Sequence, residues 1–129
     1  VAGSDSFQPE AYRTQLNMVL DRIWSGSVAD SWSVDEGNRL LGFFSRIGID
    51  SYGGAYSLDG ATTLSAPHEP ALVAMNGVSA LTATVPDADR RAYVDAIWNL
   101  EIPIGNPRYY AGLLDLLALL VLGGQLHVL

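Results

Sequence analysis

The sequence predicts an all-α fold of about five helices, and three observations carry that reading. Apolar residues recur at three- and four-residue spacing in five separate stretches. Proline or serine stands where most of these stretches start, and glycine where the first, second and fifth stop. The last stretch, Ala111 to Leu122, is apolar nearly all round and is interrupted only by Asp115. A helix of that kind is packed on several sides. Four other short helices can hardly surround it and also bury their own faces. The 129 residues are therefore expected to form a single domain or part of one. As a partial domain the chain would be completed by a barrel's missing residues or by an oligomer.

The first helix is expected from Pro9 to about Trp24, stopping at Ser25-Gly26. Tyr12, Leu16, Val19, Leu20 and Ile23 form its apolar face, and Glu10, Arg13, Asn17 and Asp21 run along the other side. The second follows Ser33, whose hydroxyl would cap it while Glu36 reaches back as a capping box. Its inner face is Leu40, Leu41, Phe44 and Ile47, and Gly48 ends it. The third spans roughly Glu69 to Thr82, with Ala71, Ala74, Gly77 and Ala80 as a small-residue side that lets a neighbouring helix approach. The fourth begins after Pro86-Asp87 and buries Tyr93, Val94, Ile97 and Trp98. The fifth takes Asn106 as cap and Pro107 as first residue, and ends at Gly123-Gly124. Between the second and third lies Ile49 to Pro67, which has no helical period. It predicts one long loop or a small hairpin, with Tyr56 to Leu58 and Ala61 to Leu64 around an Asp59-Gly60 turn. Loops of this length often build a binding surface.

Composition removes several function classes. There is no cysteine, which excludes disulfides, thiolate metal sites and a cysteine nucleophile. The net charge is −7, and all seven basic residues are arginine. Such a surface repels nucleic acid and anionic membranes. The apolar run 111–122 is shorter than the ~20 residues of a membrane helix. There is no Gly-x-Ser-x-Gly elbow for a serine hydrolase. Gly53-Gly54 and Gly123-Gly124 lack the lysine and strand of a phosphate loop. His68 and His127 lie too far apart, without a carboxylate partner, for zinc, and no metal or cofactor is expected. Asp87 and Asp89 are explained by the dipole of the fourth helix. The acidic, lysine-free composition fits a secreted or extracellular protein, or one from a salt-tolerant source. A chain that begins with Val rather than Met is expected to be a mature, processed or truncated product.

The chemistry-bearing pair is Glu10 and Arg13 at the head of the first helix. A carboxylate beside a guanidinium at a helix start keeps its charge and can serve as a general base. The plainer alternative is a solvated ion pair worth roughly 0.2–0.5 kcal/mol. Tyr52, Tyr56, Tyr109 and Tyr110 are candidates for stacking on sugar rings, with one or two expected at a cleft and the others in the core or on its rim. Trp24 and Trp98 sit at core spacing, and Trp32 falls in a loop.

The order of segments carries a resemblance. An acidic residue three positions before Arg13 is followed by Leu-Asp-Arg-Ile-Trp-Ser-Gly at 20–26 and by Phe43-Phe44. Tyr-Ser-Leu-Asp-Gly at 56–60, His68 with an alanine-rich helix, and Tyr-Val-Asp-Ala-Ile-Trp-Asn at 93–99 come next. The run Tyr-Tyr-Ala-Gly-Leu-Leu-Asp-Leu-Leu-Ala-Leu-Leu-Val-Leu-Gly-Gly at 109–124 closes the series. Together these resemble the C-terminal part of a glycoside hydrolase family 8 enzyme, an endoglucanase-like family on an (α/α)6 barrel. The resemblance covers nearly all of the chain and roughly the last third of such a domain.

It implies inverting hydrolysis of a β-1,4-linked polysaccharide such as cellulose, by an acid and a base ~6.5–9.5 Å apart with water between. The family's acid lies in an N-terminal region with no counterpart here, on a missing segment or a second chain. Its base is commonly an aspartate three residues before an arginine. Glu10 takes that position and Arg13 the arginine's, with Asp5 as the fallback base. The chain departs from the pattern in two places. It has Glu where the family usually has Asp, and a shift of ~1 Å can lower the rate ~100-fold. It reads Thr14-Gln15-Leu16-Asn17 where the family commonly has Thr-Pro-Trp-Arg. His68 matches a histidine often found before that family's alanine-rich helix and would line the cleft, unless it is a helix-start histidine bonded to backbone. The expected partner is a polysaccharide or oligosaccharide. The alternative is a non-catalytic carbohydrate-binding or protein-interaction module derived from the same fold.

Overall fold

The computed structural model describes residues 5–26 and 31–126. His127, in the tail, lies outside them. The elements are β1 (Ser6–Phe7), α1 (Pro9–Ser25), α2 (Trp32–Ile47), β2 (Ala55–Ser57), β3 (Thr63–Ser65), α3 (Pro70–Ser79), α4 (Asp87–Trp98) and α5 (Tyr110–Leu122). The five helices fall where their apolar periods place them, and the Asp59-Gly60 turn joins β2 to β3. Gly60 takes φ 71°, as such a turn requires. β1, which the sequence reading did not anticipate, completes an antiparallel three-stranded sheet by pairing Phe7 with Tyr56.

Pro9 stands at the start of α1, and Gly26 ends the helix in the left-handed conformation at φ 60°. The expected capping box on α2 does not form. The helix begins at Trp32, so Ser33 already lies inside it, buried with its hydroxyl unpaired. Glu36 instead pairs with Arg39 at 2.8 Å. Trp32 is thus a helical residue rather than a loop one. The chain before α5 also differs from expectation. Asn106–Arg108 forms a separate 3-10 turn, and α5 starts only at Tyr110.

α3 is the centre of the molecule. Every residue from Ala71 to Ala80 is buried, and the helix packs mainly on α5, α1 and α4. Its small-residue side works as anticipated. A Cβ on Gly77 would lie 2.1 Å from Ile97 Cδ1, so α4 rests directly on the α3 backbone. Gln15 of α1 accepts a 2.7 Å hydrogen bond from Ser79 of α3. α2 is tied in by Asn38, which bonds Thr84 through both amide atoms, and by the Tyr93 hydroxyl, which donates to Leu41 O at 2.7 Å.

As expected of a helix that four short neighbours can hardly surround, α5 keeps one side bare: Leu113 and Leu116 are each 53% exposed, and α3 is the enclosed helix. One packing expectation is corrected. Trp24 and Trp98 are exposed rather than core, each in the last turn of its helix. Ile23 and Ile47 are exposed likewise.

Contacts at the ends show how α1, α3 and α5 run. The Tyr110 hydroxyl donates to Pro9 O, which joins the starts of α5 and α1. At Gly54 a Cβ would lie 3.0 Å from Glu69 Cβ and 3.6 Å from the Tyr12 hydroxyl, which brings the start of α3 to the same place. At the opposite end, Trp24 Nε1 donates to Leu126 O just beyond α5. The three helices are therefore parallel and form one layer, with α2 and α4 returning the chain outside it.

Candidate functional site

The starts of α1, α3 and α5 meet at one end of the layer, and the sheet and both long connections open on that end. Helix N-termini carry unpaired N–H groups and the positive end of the macrodipole, so an end built from three of them favours anionic groups. Glu10 lies exposed in the first turn of α1 and Arg13 is exposed one turn on. No ion pair joins them among the described residues, so the anticipated i,i+3 bridge is not made. Both side chains are left to face solvent.

The remaining groups at this end are Tyr12, Tyr110 and Glu69. The Tyr12 hydroxyl is enclosed with no hydrogen-bond partner. Burial pushes its pKa well above the usual tyrosine range, and the charges of Glu69 and Glu10 push it further. Tyr110 is half-buried, and its hydroxyl is also raised by burial. Arg13 opposes that shift, while Glu10 and Glu69 add to it. Both tyrosine hydroxyls thus sense the same two carboxylates. Glu69 is the functional candidate that the sequence reading missed. A signal was present, because α1 and α3 both open on a proline with an acidic residue directly beside it.

The other candidates divide. Asp5 is exposed just before β1, upstream of this end. Tyr52 and Tyr56 are both buried, which puts Tyr52 in the core and Tyr56 beneath a groove bordered by Phe43 and Leu58. Tyr52 is fully buried between Phe44 and His68, with ring centroids 4.6 and 4.5 Å away. Its hydroxyl lies near Asn76 without closing a well-aligned bond, and burial raises its pKa. Tyr56 stands edge-on to Phe43, and its hydroxyl accepts the Gly53 N–H at 2.6 Å. His68 takes the backbone-bonded arrangement. Nδ1 lies 2.7 Å from Tyr52 O, a pure acceptor, so Nδ1–H donates, and His68 borders a groove with Asp50, Asp95 and Asn99. Tyr109 is 85% exposed, directly before α5. Among the described residues no set of three His, Asp or Glu is placed to hold a metal, and no helix is long and apolar enough to cross a membrane.

A parallel inner layer with antiparallel outer helices defines the class: the five helices form part of an (α/α)6 barrel. Known proteins agree. The chain is 35% identical over 123 residues to the reducing-end xylose-releasing exo-oligoxylanase of Paenibacillus barcinonensis, covering 95% of this chain and 31% of the relative. It is 33% identical over 127 residues to the corresponding exo-oligoxylanase of Halalkalibacterium halodurans, covering 98% and 32%. Among solved structures, a GH8 xylobiose complex from Teredinibacter turnerae superposes with a TM-score of 0.79 at 34% identity, over 93% of this chain and 29% of that one. No family model matches the chain. The chain spans about a third of the length of the curated relatives it matches.

Proposed function

We propose that the chain is a C-terminal segment of an inverting glycoside hydrolase of family 8, and that it supplies the general-base side of the cleft. The observation that carries this reading is the convergence of three parallel helix starts on an exposed Glu10, with Arg13, Glu69 and Tyr110 around it. In this reading Glu10 takes the proton of the attacking water, and Arg13 is a positive charge one turn further along the same helix. Asp5 is the fallback base. Tyr110 and Tyr109 are the remaining aromatic candidates for sugar contact, and His68 would reach the cleft only through Nε2. The general acid comes from polypeptide outside these residues.

The substrate is xylo-oligosaccharide rather than cellulose, because the relatives are named for releasing xylose from such chains. No cofactor takes part, and the acidic, lysine-free surface suits a secreted enzyme. The test uses a hybrid in which this chain replaces the matched third of the Paenibacillus barcinonensis relative. Xylotetraose turnover falls about 10²–10⁴-fold in Glu10→Gln with helicity unchanged. Glu10→Asp, which restores the family's usual reach, raises turnover by up to ~100-fold. Turnover unaffected by Glu10→Gln would remove Glu10 as the base. A folded hybrid that binds xylotetraose without cleaving it would favour the non-catalytic binding module.

A further inference from the structure

Where α1, α3 and α5 start, one polar group stands idle. Tyr12 is fully buried, and its ring packs on Phe7 with centroids 5.4 Å apart. Its hydroxyl has no hydrogen-bond partner among the described residues. A buried hydroxyl left in that state is costly, so it calls for an acceptor. Tyr110 differs, because its hydroxyl already donates to Pro9 O. Gly54 defines the space beside the Tyr12 hydroxyl. A Cβ on Gly54 would lie 3.6 Å from that hydroxyl, 3.0 Å from Glu69 Cβ and 3.3 Å from Pro67 O. The missing side chain thus leaves a gap with Tyr12 on one side and Glu69 on the other, within reach of a glutamate carboxylate directly or across one water. Glu69 is half-buried directly before α3, and its carboxylate does not cap that helix. After burial itself, the charge of Glu69 is the largest cause of the raised Tyr12 pKa. A carboxylate accepts on both oxygens, so one can take the Tyr12 O–H while the other stays open to a ligand.

We propose that Glu69 is the second carboxylate of the site, an acceptor for sugar hydroxyl groups beside Glu10, and that the Tyr12 hydroxyl orients it, directly or through one bridging water. The proposal rests on the glycoside hydrolase reading above and gives that site its sugar-binding carboxylate. Tyr12 does not meet the sugar, because it is fully buried. It is a positioning residue that acts through Glu69. A bond from a hydroxyl to an ionised carboxylate is stronger than one between neutral groups. Held on one oxygen, Glu69 no longer swings freely into solvent, so less ordering is left for the moment of binding. Gly54 keeps open the gap in which the two groups meet.

Two measurements test this. The first is urea denaturation of the chain itself. Tyr12→Phe removes one oxygen and keeps the ring. It is expected to raise the unfolding equilibrium constant about tenfold, and to have little effect once Glu69 is replaced in Glu69→Ala. A stranded hydroxyl gives the opposite sign. Its removal would then stabilise the chain with or without Glu69, which would overturn the proposal. The second is the affinity of the hybrid enzyme for xylotetraose, measured by calorimetry in the Glu10→Gln background. Glu69→Ala is expected to weaken binding about tenfold or more, and Tyr12→Phe about three- to tenfold. Tyr12→Phe adds nothing beside Glu69→Ala. Gly54→Ala, which wedges a methyl group into the gap with Tyr12 intact, also weakens binding. With Glu10 restored, the loss appears in KM, while kcat changes by less than about threefold. Affinity unchanged by Glu69→Ala overturns the sugar-binding role. A Tyr12→Phe loss that persists in full beside Glu69→Ala overturns the positioning. A Glu10→Gln hybrid that still cleaves, with KM governed by Glu69 and Tyr12, would overturn the base assignment alone. A hybrid that loses turnover with Glu10→Gln yet binds sugar regardless of Glu69 would overturn this proposal alone.

Discussion

Gly77 and Asp115 show how single residues carry this fold. A methyl group at Gly77 meets the end of Ile97 and lies 3.1 Å from Tyr93 O, so Gly77→Ala forces α3 and α4 apart. Overpacking of this kind costs typically 1–3 kcal/mol, which outweighs the ~1 kcal/mol gained in helix propensity. Urea denaturation should show a net loss, and Ile97→Val should recover part of it in the double variant. At Gly53 the added methyl would lie 2.3 Å from the backbone oxygen of Ser65, where no side-chain trimming can help. Asp115 is buried with one carboxylate oxygen unpaired, and burial raises its pKa above the usual carboxylate value. A raised acid stabilises the fold below its unfolded pKa and loses that contribution as pH rises through the folded one. Asp115→Asn should therefore raise the melting temperature at pH 7 and flatten its rise toward acid. An unchanged pH profile would show that Asp115 has a partner. The small side of α3 was legible in the sequence, because alanine and glycine at helical spacing have few other uses. The burial of Tyr52 and Tyr56 was not. A tyrosine in a loop reads the same whether its ring stacks on Phe44 or on a sugar.

At the scale of elements, periodicity located all five helices, and local chemistry placed their ends less well. The Ser33–Glu36 pair has the spacing of a capping box but lies one residue inside a helix that starts at Trp32. Ser33→Ala should then cost less than ~0.5 kcal/mol, against the ~1 kcal/mol of a true cap. A larger loss in thermal melts would restore the cap. Trp24 and Trp98 stand at core positions by period, yet each falls in a final turn and stays exposed. The hairpin was legible because Asp59-Gly60 fixes its turn. The Asp59 carboxylate, held below the usual range first by the Ser57 hydroxyl and then by the Ala61 N–H, locks that turn. β1 is only two residues long and has no alternation to read. It is a strand because β2 stands beside it.

The whole molecule is an arc whose three inner helices share a direction, and the candidate site exists because their starts coincide. That convergence could not be read from composition or period, since it depends on contacts between residues as distant as Pro9 and Tyr110. The sequence did carry its consequence. A helix as apolar as α5 demands neighbours, and the structure shows one side of it still bare. Glu10 and Glu69 become companions only once α1 and α3 are parallel, which is why Glu69 drew no attention in the linear chain. The central claim is that sugar is held where these helix starts meet. The direct measurement is an amide chemical-shift titration of the hybrid enzyme with xylotetraose. Shifts concentrated at Glu10, Arg13, Glu69 and Tyr110 are the expected result. Shifts confined to Phe43 and the 58–60 turn, or to the bare side of α5, would contradict it.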